Sequence, residues 1–188
     1  NSSDNAYVYG TEGNDNKKTK RTINNLVSNK IIYALAGNDS IVNDGNDVTI
    51  VGGAGNDSIY NTNNSIFNSI NGGDGHDSIY SDGNASTLIG GSGNDTIYNY
   101  GNSVRAFGEN DNDLIFNDGN YSTIDGGAGN DSIFNNSGSN SSLFGGAGND
   151  YLKNEGASDY FHDGALKVTL NGGTGIDTLI GQASLSET

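Results

Sequence analysis

The chain has 188 residues, with 8 Lys and Arg against 23 Asp and Glu, for a net charge of −15. That balance argues against nucleic acid and anionic membranes as partners and for cations. Gly is 30 of the residues, and Pro, Cys, Met and Trp are absent; disulfides are therefore excluded, and a small extracellular fold would need another staple, usually a metal. No apolar run approaches the roughly 18 residues of a membrane span, and no signal peptide is visible. The lack of Met suggests a mature fragment or an excised part of a longer chain.

A nine-residue unit organises everything. It reads GGAGNDSIY at Gly52–Tyr60 and returns as GGDGHDSIY (Gly72–Tyr80), GGSGNDTIY (Gly90–Tyr98), GGAGNDSIF (Gly126–Phe134) and GGAGNDYLK (Gly145–Lys153). Looser copies are ALAGNDSIV (Ala34–Val42), GENDNDLIF (Gly108–Phe116) and GGTGIDTLI (Gly172–Ile180), and a broken one is GTEGND (Gly10–Asp15). A repeat of this length means a solenoid rather than a globular core, and residues 1–188 read as one domain.

Numbering from the first Gly puts Asp at position 6: Asp15, Asp39, Asp57, Asp77, Asp95, Asp113, Asp131, Asp150 and Asp177. Their spacings are 24, 18, 20, 18, 18, 18, 19 and 27, so the period is 18 with insertions. The first excess is a loop at 16–21, which holds four of the eight basic residues; it is either a solvated bulge or a knob for an anion or partner. The stretch 154–171 is irregular, and Ala165–Leu170 is strand-like enough to close the roll.

Each period has two apolar foci. One is position 8 (Ile41, Ile59, Ile79, Ile97, Ile115, Ile133, Leu152, Leu179). The other lies near position 17 (Ile50, Ile70, Leu88, Ala106, Ile124, Leu143). Both are short runs with alternating sides, flanked by Gly and Asn, as strands are. Two strands and two turns per 18 residues predict an all-β, right-handed parallel β-roll of about eight or nine coils. The two turns differ. One is GGxGND. The other is Asn-rich (Asn43–Asn46, Asn61–Asn64, Ser81–Asn84, Asn99–Asn102, Asn117–Asn120) and lacks the Asp; its Asn residues should stack into ladders and take left-handed conformations.

In GGxGND the glycines permit positive φ and a tight loop whose carbonyls converge, and the Asp adds a hard anionic oxygen in every coil. Coils stacked about 4.8 Å apart suit a hard cation with 6–8 oxygen ligands, which points to calcium. Magnesium keeps its waters, and zinc would want more His or Cys than His76 and His162 offer.

From Gly10 to Ile180 the chain resembles the RTX (repeats-in-toxin) calcium-binding family, whose nonapeptide is GGxGxDxUx. The resemblance implies several Ca2+ ions between coils. They would be held by Asp39, Asp57, Asp77, Asp95, Asp113, Asp131 and Asp150, with Asp15 and Asp177 at broken spacings. Turn carbonyls around Gly37, Gly53, Gly55, Gly73, Gly75, Gly91, Gly93, Gly127, Gly129, Gly146 and Gly148 would complete the sites. It also implies an extracellular, secreted or surface bacterial setting and type I secretion of an unfolded chain. This chain departs from the family by repeating every 18 residues, so one row of ions is expected. The turn Gly108–Asp113 departs too, with Asp111 as an added ligand or a solvated side chain.

Position 9 points outward as Tyr60, Tyr80, Tyr98, Phe116 and Phe134. These rings either offer a surface to a second copy, a neighbouring domain or a sugar, or stack on one another. Position 3 is too irregular for the Thr array of an ice-binding face, which is the minor reading. His76 replaces a surface Asn. His162, near Asp159 and Asp163, comes with no nucleophile, so no enzyme is expected. Two roles compete: a structural or adhesive part of a secreted or surface protein, and the folding and type I secretion module of a secreted enzyme (protease, lipase or alginate epimerase).

Overall fold

The computed structural model describes residues 7–10, 13, 23–62, 65–155 and 169–181. Among the described residues, eighteen strands alternate between two sheets. The first sheet holds β1 (Tyr7–Tyr9), β3 (Ile31–Ala36), β5 (Thr49–Ala54), β7 (Ser69–Asp74), β9 (Thr87–Ser92), β11 (Arg105–Asn110), β13 (Thr123–Ala128), β15 (Ser142–Ala147) and β17 (Thr169–Thr174). The second holds β2 (Ile23–Asn25), β4 (Ser40–Asn43), β6 (Ser58–Asn61), β8 (Ser78–Ser81), β10 (Thr96–Asn99), β12 (Leu114–Asn117), β14 (Ser132–Asn135), β16 (Tyr151–Asn154) and β18 (Thr178–Ile180). Every pair is parallel, and each strand's neighbours are the equivalent strands one coil away. This is the parallel β-roll the repeat predicts.

Equivalent residues lie on equivalent residues along the whole axis. Ile41 pairs with Ile59, Ile79 with Ile97, Ile115 with Ile133, and Ile133 with Leu152. Slipping by one residue would turn each of these outward, so the apolar positions pin the register. The core is correspondingly narrow. Position 8 supplies Ile41, Ile59, Ile79, Ile97, Ile115, Ile133 and Leu152, and position 17 supplies Ile50, Ile70, Leu88, Ala106, Ile124 and Leu143, all buried. Ile70 and Leu143 fall into line despite the insertions before them.

The strands of the first sheet are longer than the apolar foci suggest. In β5, β7, β9, β13, β15 and β17 the Gly-Gly of the next turn stays in the ladder, as where Gly53 pairs with Gly73 and Gly73 with Gly91. The Asn-rich turn behaves as expected in one respect and not in another. Its first residue points inward and forms a buried amide column. Asn25 Nδ2 donates to Asn43 Oδ1 (2.7 Å), Asn43 to Asn61 (2.8 Å), Asn99 to Asn117 (2.7 Å), Asn117 to Asn135 (2.6 Å) and Asn135 to Asn154 (2.7 Å). The left-handed conformations, however, fall on position 14, one residue past the second Asn. They are taken by Asp47, Phe67, Ala85, Ser103, Tyr121 and Asn140 at φ 53–60°.

The position-9 rings stack on one another: Tyr60 on Tyr80 at 4.9 Å, Tyr80 on Tyr98 at 6.2 Å, Tyr98 on Phe116 at 4.9 Å and Phe116 on Phe134 at 5.2 Å. Tyr60 and Tyr80, and Tyr80 and Tyr98, are tilted by 30° and 38°, whereas Tyr98 and Phe116, and Phe116 and Phe134, lie within 17° of parallel. Asp15, the loop at 16–21, and Asp159, His162 and Asp163 lie outside the described residues, as does 165–168 of the expected closing strand.

Candidate metal row

Position 6 ends the GGxGND turn, one residue before the second-sheet strand, with its side chain turned inward. Asp39, Asp57, Asp77, Asp95, Asp113, Asp131 and Asp150 are all 1–3% exposed. From Asp57 onward one carboxylate oxygen of each is used in the same way. The Asp39 N–H donates to Asp57 Oδ1 (2.8 Å), Asp57 N–H to Asp77 (2.7 Å), Asp77 N–H to Asp95 (2.7 Å) and Asp95 N–H to Asp113 (2.7 Å). The line continues from Asp113 to Asp131 (2.8 Å), Asp131 to Asp150 (2.9 Å) and Asp150 to Asp177 (3.1 Å). Eight turns are thereby joined, amide to carboxylate, along one edge.

The second oxygen is a different matter. Oδ2 of Asp57, Asp77, Asp95, Asp113, Asp131 and Asp150 is buried and has no hydrogen-bond partner. A buried acceptor left so is costly, and native structures hold few. Its surroundings explain the first Gly of the motif. A methyl built on Gly72 would lie 2.3 Å from Asp77 Oδ2 and 2.7 Å from the Gly90 carbonyl oxygen. On Gly126 the same methyl would lie 2.4 Å from Asp131 Oδ2 and 2.6 Å from the Gly145 carbonyl oxygen. Position 1 is thus Gly for space, not for φ. Across it, a carboxylate oxygen and the next coil's carbonyl oxygen crowd one spot with no donor between them.

The carbonyls named from the sequence are placed differently. Those of positions 2 and 4 run along the axis toward the matching glycine of the next coil, as Gly53 toward Gly73 and Gly55 toward Gly75. The position-4 N–H donates to the next coil's position-3 carbonyl, as Gly55 to Asp74 (2.7 Å) and Gly75 to Ser92 (2.8 Å). The carbonyls of Gly72, Gly90, Gly108, Gly126, Gly145 and Gly172, not singled out from the sequence, border with the second carboxylate oxygen the space that a Cβ on the preceding coil's first Gly would fill. The doubled Gly was the available signal, since a turn alone needs only the second.

Burial pushes these carboxyls up, against the opposing pull of the preceding Asp N–H and with help from neighbouring carboxylates. Asp57, Asp95 and Asp113 rise to about 7 and Asp131 to about 6. Asp77 and Asp150 are raised for the same first reason. The row is short of positive charge.

Asp177 is half-buried and closes the row. In the deviant turn, Glu109 and Asp111 hold φ of 84° and 70°, where L side chains are strained. Asp111 Oδ2 accepts from the Gly93 N–H (3.1 Å), the role a position-3 carbonyl plays elsewhere. His76 is exposed, and its Nδ1 accepts from Asn94 N–H (2.8 Å) as the Asn side chains do in the other coils.

Among the described residues no three Asp, Glu, His or Cys side chains gather in one place. Donors for a metal here are one carboxylate per coil plus main-chain carbonyls, all oxygen. That set suits a hard cation such as calcium and gives nothing to zinc. The unpartnered Oδ2 and the cradle that a Cβ would fill both fit such an ion.

Neither the curated proteins nor the solved structures compared with this chain give a match. The model of the RTX calcium-binding nonapeptide repeat does match, over residues 41–60, 67–87, 80–98, 107–141, 137–161 and 169–184. These segments take in most of the coils whose buried Asp row has just been described, and the chain belongs to the RTX calcium-binding repeat family.

Proposed function

We propose that this chain is an extracellular module whose folding is driven by calcium, serving as a structural or adhesive part of a secreted or surface bacterial protein. The observation that carries the reading is the file of buried carboxylates whose second oxygens have no hydrogen-bond partner and share a space with the next coil's carbonyl oxygen. Calcium would be held by Asp39, Asp57, Asp77, Asp95, Asp113, Asp131 and Asp150, with Asp15 and Asp177, whose spacings are broken, as further candidates. Carbonyls of the position-1, position-2 and position-4 residues would complete the sites. When bound, it would supply the positive charge that lets these carboxylates stay ionised while buried.

The opposite edge needs no ion, because its Asn column carries its own donors and acceptors. A single row of ions follows. Extracellular calcium modules have affinities around 10⁻⁴–10⁻³ M, so such a chain would be unfolded in a low-calcium cytosol and folded outside. We read it as non-catalytic. The alternative role, as the folding and secretion module of an enzyme, would be marked by a catalytic domain in the same protein. Far-UV circular dichroism in calcium and in chelator is the test: β signal gained with calcium is expected, and the same spectrum in both would sink the reading.

A further inference from the structure

The turn at 108–113 breaks the motif where the motif is least tolerant. Positions 2 and 4 are glycine in the turns on either side, Gly91 and Gly93 before it and Gly127 and Gly129 after it, all at φ between 104° and 147°. Glu109 and Asp111 take the same two places at φ of 84° and 70°. The main chain keeps its neighbours' course. Glu109 stays in register with Gly91 and Gly127, and the Asp111 carbonyl runs toward Gly129 as the Gly129 carbonyl runs toward Gly148. Strain of this kind persists only where the surrounding structure enforces it, and it collects at functional sites.

The two side chains have different surroundings. Asp111 Oδ2 accepts from the Gly93 N–H at 3.1 Å, which anchors its carboxylate across the interval between the turns at 90–95 and 108–113. The same interval holds Asp95 Oδ2, which shares the space beside Gly90 with the Gly108 carbonyl oxygen, and Asp113, whose Oδ1 accepts from the Asp95 N–H. Asp95 and Asp113 are 1% and 2% exposed, and Oδ2 of each has no partner. The Asp111 charge bears on both of them and helps to push both carboxyls up. Asp74 bears on Asp77 and Asp125 on Asp131, one member of the row each. Glu109 bears on Asp125, outside the row.

We infer that this interval is the strongest calcium site of the row, with Asp111 as a third carboxylate beside Asp95 and Asp113. The inference rests on the calcium reading above and adds that the row is uneven. Affinity for calcium follows the number of charged oxygens in a site. A position-4 glycine brings only its carbonyl, whereas Asp111 brings the carbonyl and a charge. The two turns are the fourth and fifth of the eight that the carboxylate line joins. An ion held there first would fix the middle of the roll and give the coils on both sides a folded neighbour to add to.

Equilibrium dialysis of the 188-residue chain against a series of free calcium concentrations, with circular dichroism of the same samples, tests this. In the parent, one ion should bind at lower calcium than the rest. Asp111→Asn keeps the acceptor for the Gly93 N–H and removes the charge; its first step should move to about tenfold higher calcium, the weight of one charged contact. Strain and charge predict opposite signs for Asp111→Gly, which restores the residue of the neighbouring turns. Relief of strain alone would lower the calcium needed; loss of the third carboxylate should raise it. Glu109→Gly relieves strain outside the site and should need no more calcium than the parent. Asp74→Asn removes a charge from a different turn and should leave the first step in place. An Asp111→Gly chain that binds its first ion as tightly as the parent, or more tightly, overturns the inference. So does a parent that fills in one step whose midpoint Asp111→Asn does not move. Both results leave the calcium reading intact, whereas a parent that binds no calcium and keeps one spectrum in calcium and chelator takes both down. If Asp111→Asn shows no β signal in saturating calcium, Asp111→Gly decides alone.

Discussion

Gly90→Ala separates crowding from conformation at position 1. Gly90 does not lie in the left-handed region. By backbone entropy alone, then, Ala would be expected to stabilise by about 0.4–1 kcal/mol. The structure predicts the opposite sign. The new methyl would lie 2.4 Å from Asp95 Oδ2 and 2.9 Å from the Gly108 carbonyl oxygen. One neighbour is backbone in a ladder, so the carboxylate must move, and its 2.7 Å bond from the Asp77 N–H stretches or breaks. Overpacking costs about 1–3 kcal/mol and the loss of a charged hydrogen bond about 1.5–3 kcal/mol. The net expectation is a loss of about 2–5 kcal/mol in calcium, with a higher calcium concentration needed for half-folding. Denaturant titration in saturating calcium reads the first and a circular dichroism calcium titration the second. Gly181→Ala is the control, because its methyl would meet only Leu170 Cδ1, at 3.8 Å. A Gly90→Ala protein as stable as its parent would refute the argument from crowding.

Ser81 interrupts the amide column, accepting from Asn61 Nδ2 at 3.1 Å where its neighbours are Asn; Ser81→Asn should add about 1 kcal/mol, seen as a higher denaturation midpoint. Tyr121 holds φ 56° with its side chain mostly exposed, so Tyr121→Gly should raise stability by about 1 kcal/mol, and a drop would count against a strained position 14. In chelator, stability should fall as pH rises from about 4 to about 7. Asp57, Asp95 and Asp113 sit at about 7 when folded against about 3.9 unfolded, so the folded chain holds the extra protons across that window. Circular dichroism in chelator from pH 4 to 8 reads this, and β signal that grows with pH would contradict it.

The period, the inward Ile at position 8 and the Asp that returns at position 6 of each turn were legible because each recurs at one spacing, and a parallel stack can satisfy a recurring apolar side chain only by facing it inward. Three things were not. Strand length was hidden because Gly-Gly reads as turn, yet parallel pairing with the coil on either side holds it extended. The left-handed residue was sought among the Asn, but the turn places it at position 14, where even Phe67 and Ala85 are carried by the coils around them. The crowding at position 1 was hidden because positive φ marks only the glycines of positions 2 and 4; what fills the space at position 1 is a side chain five residues on, invisible to local rules.

The two edges of the roll meet one problem, an inward polar group where a strand meets a turn, with side chains that differ by one group. At position 10, Asn117 donates through Nδ2 to Asn135 Oδ1 and to the Gly119 carbonyl, and each Oδ1 accepts in turn, so the column closes on itself. At position 6, Asp113 brings two acceptors; the Asp95 N–H covers one, and the other faces the Gly126 carbonyl. An amide there would present a donor to that carbonyl. Asp113→Asn is therefore expected to do more than delete a ligand. In calcium it should weaken folding, because one site loses its charge. In chelator at pH 8, where the parent carboxylate is ionised, it should hold more β structure than the parent, by about 1 kcal/mol for the bond gained and more for the buried charge removed. A denaturant titration in calcium and circular dichroism in chelator at pH 8 measure the two signs. A variant that is weaker in both media would mean that position 6 needs the carboxylate for its own geometry, and that the choice between Asn and Asp does not set which edge takes the metal.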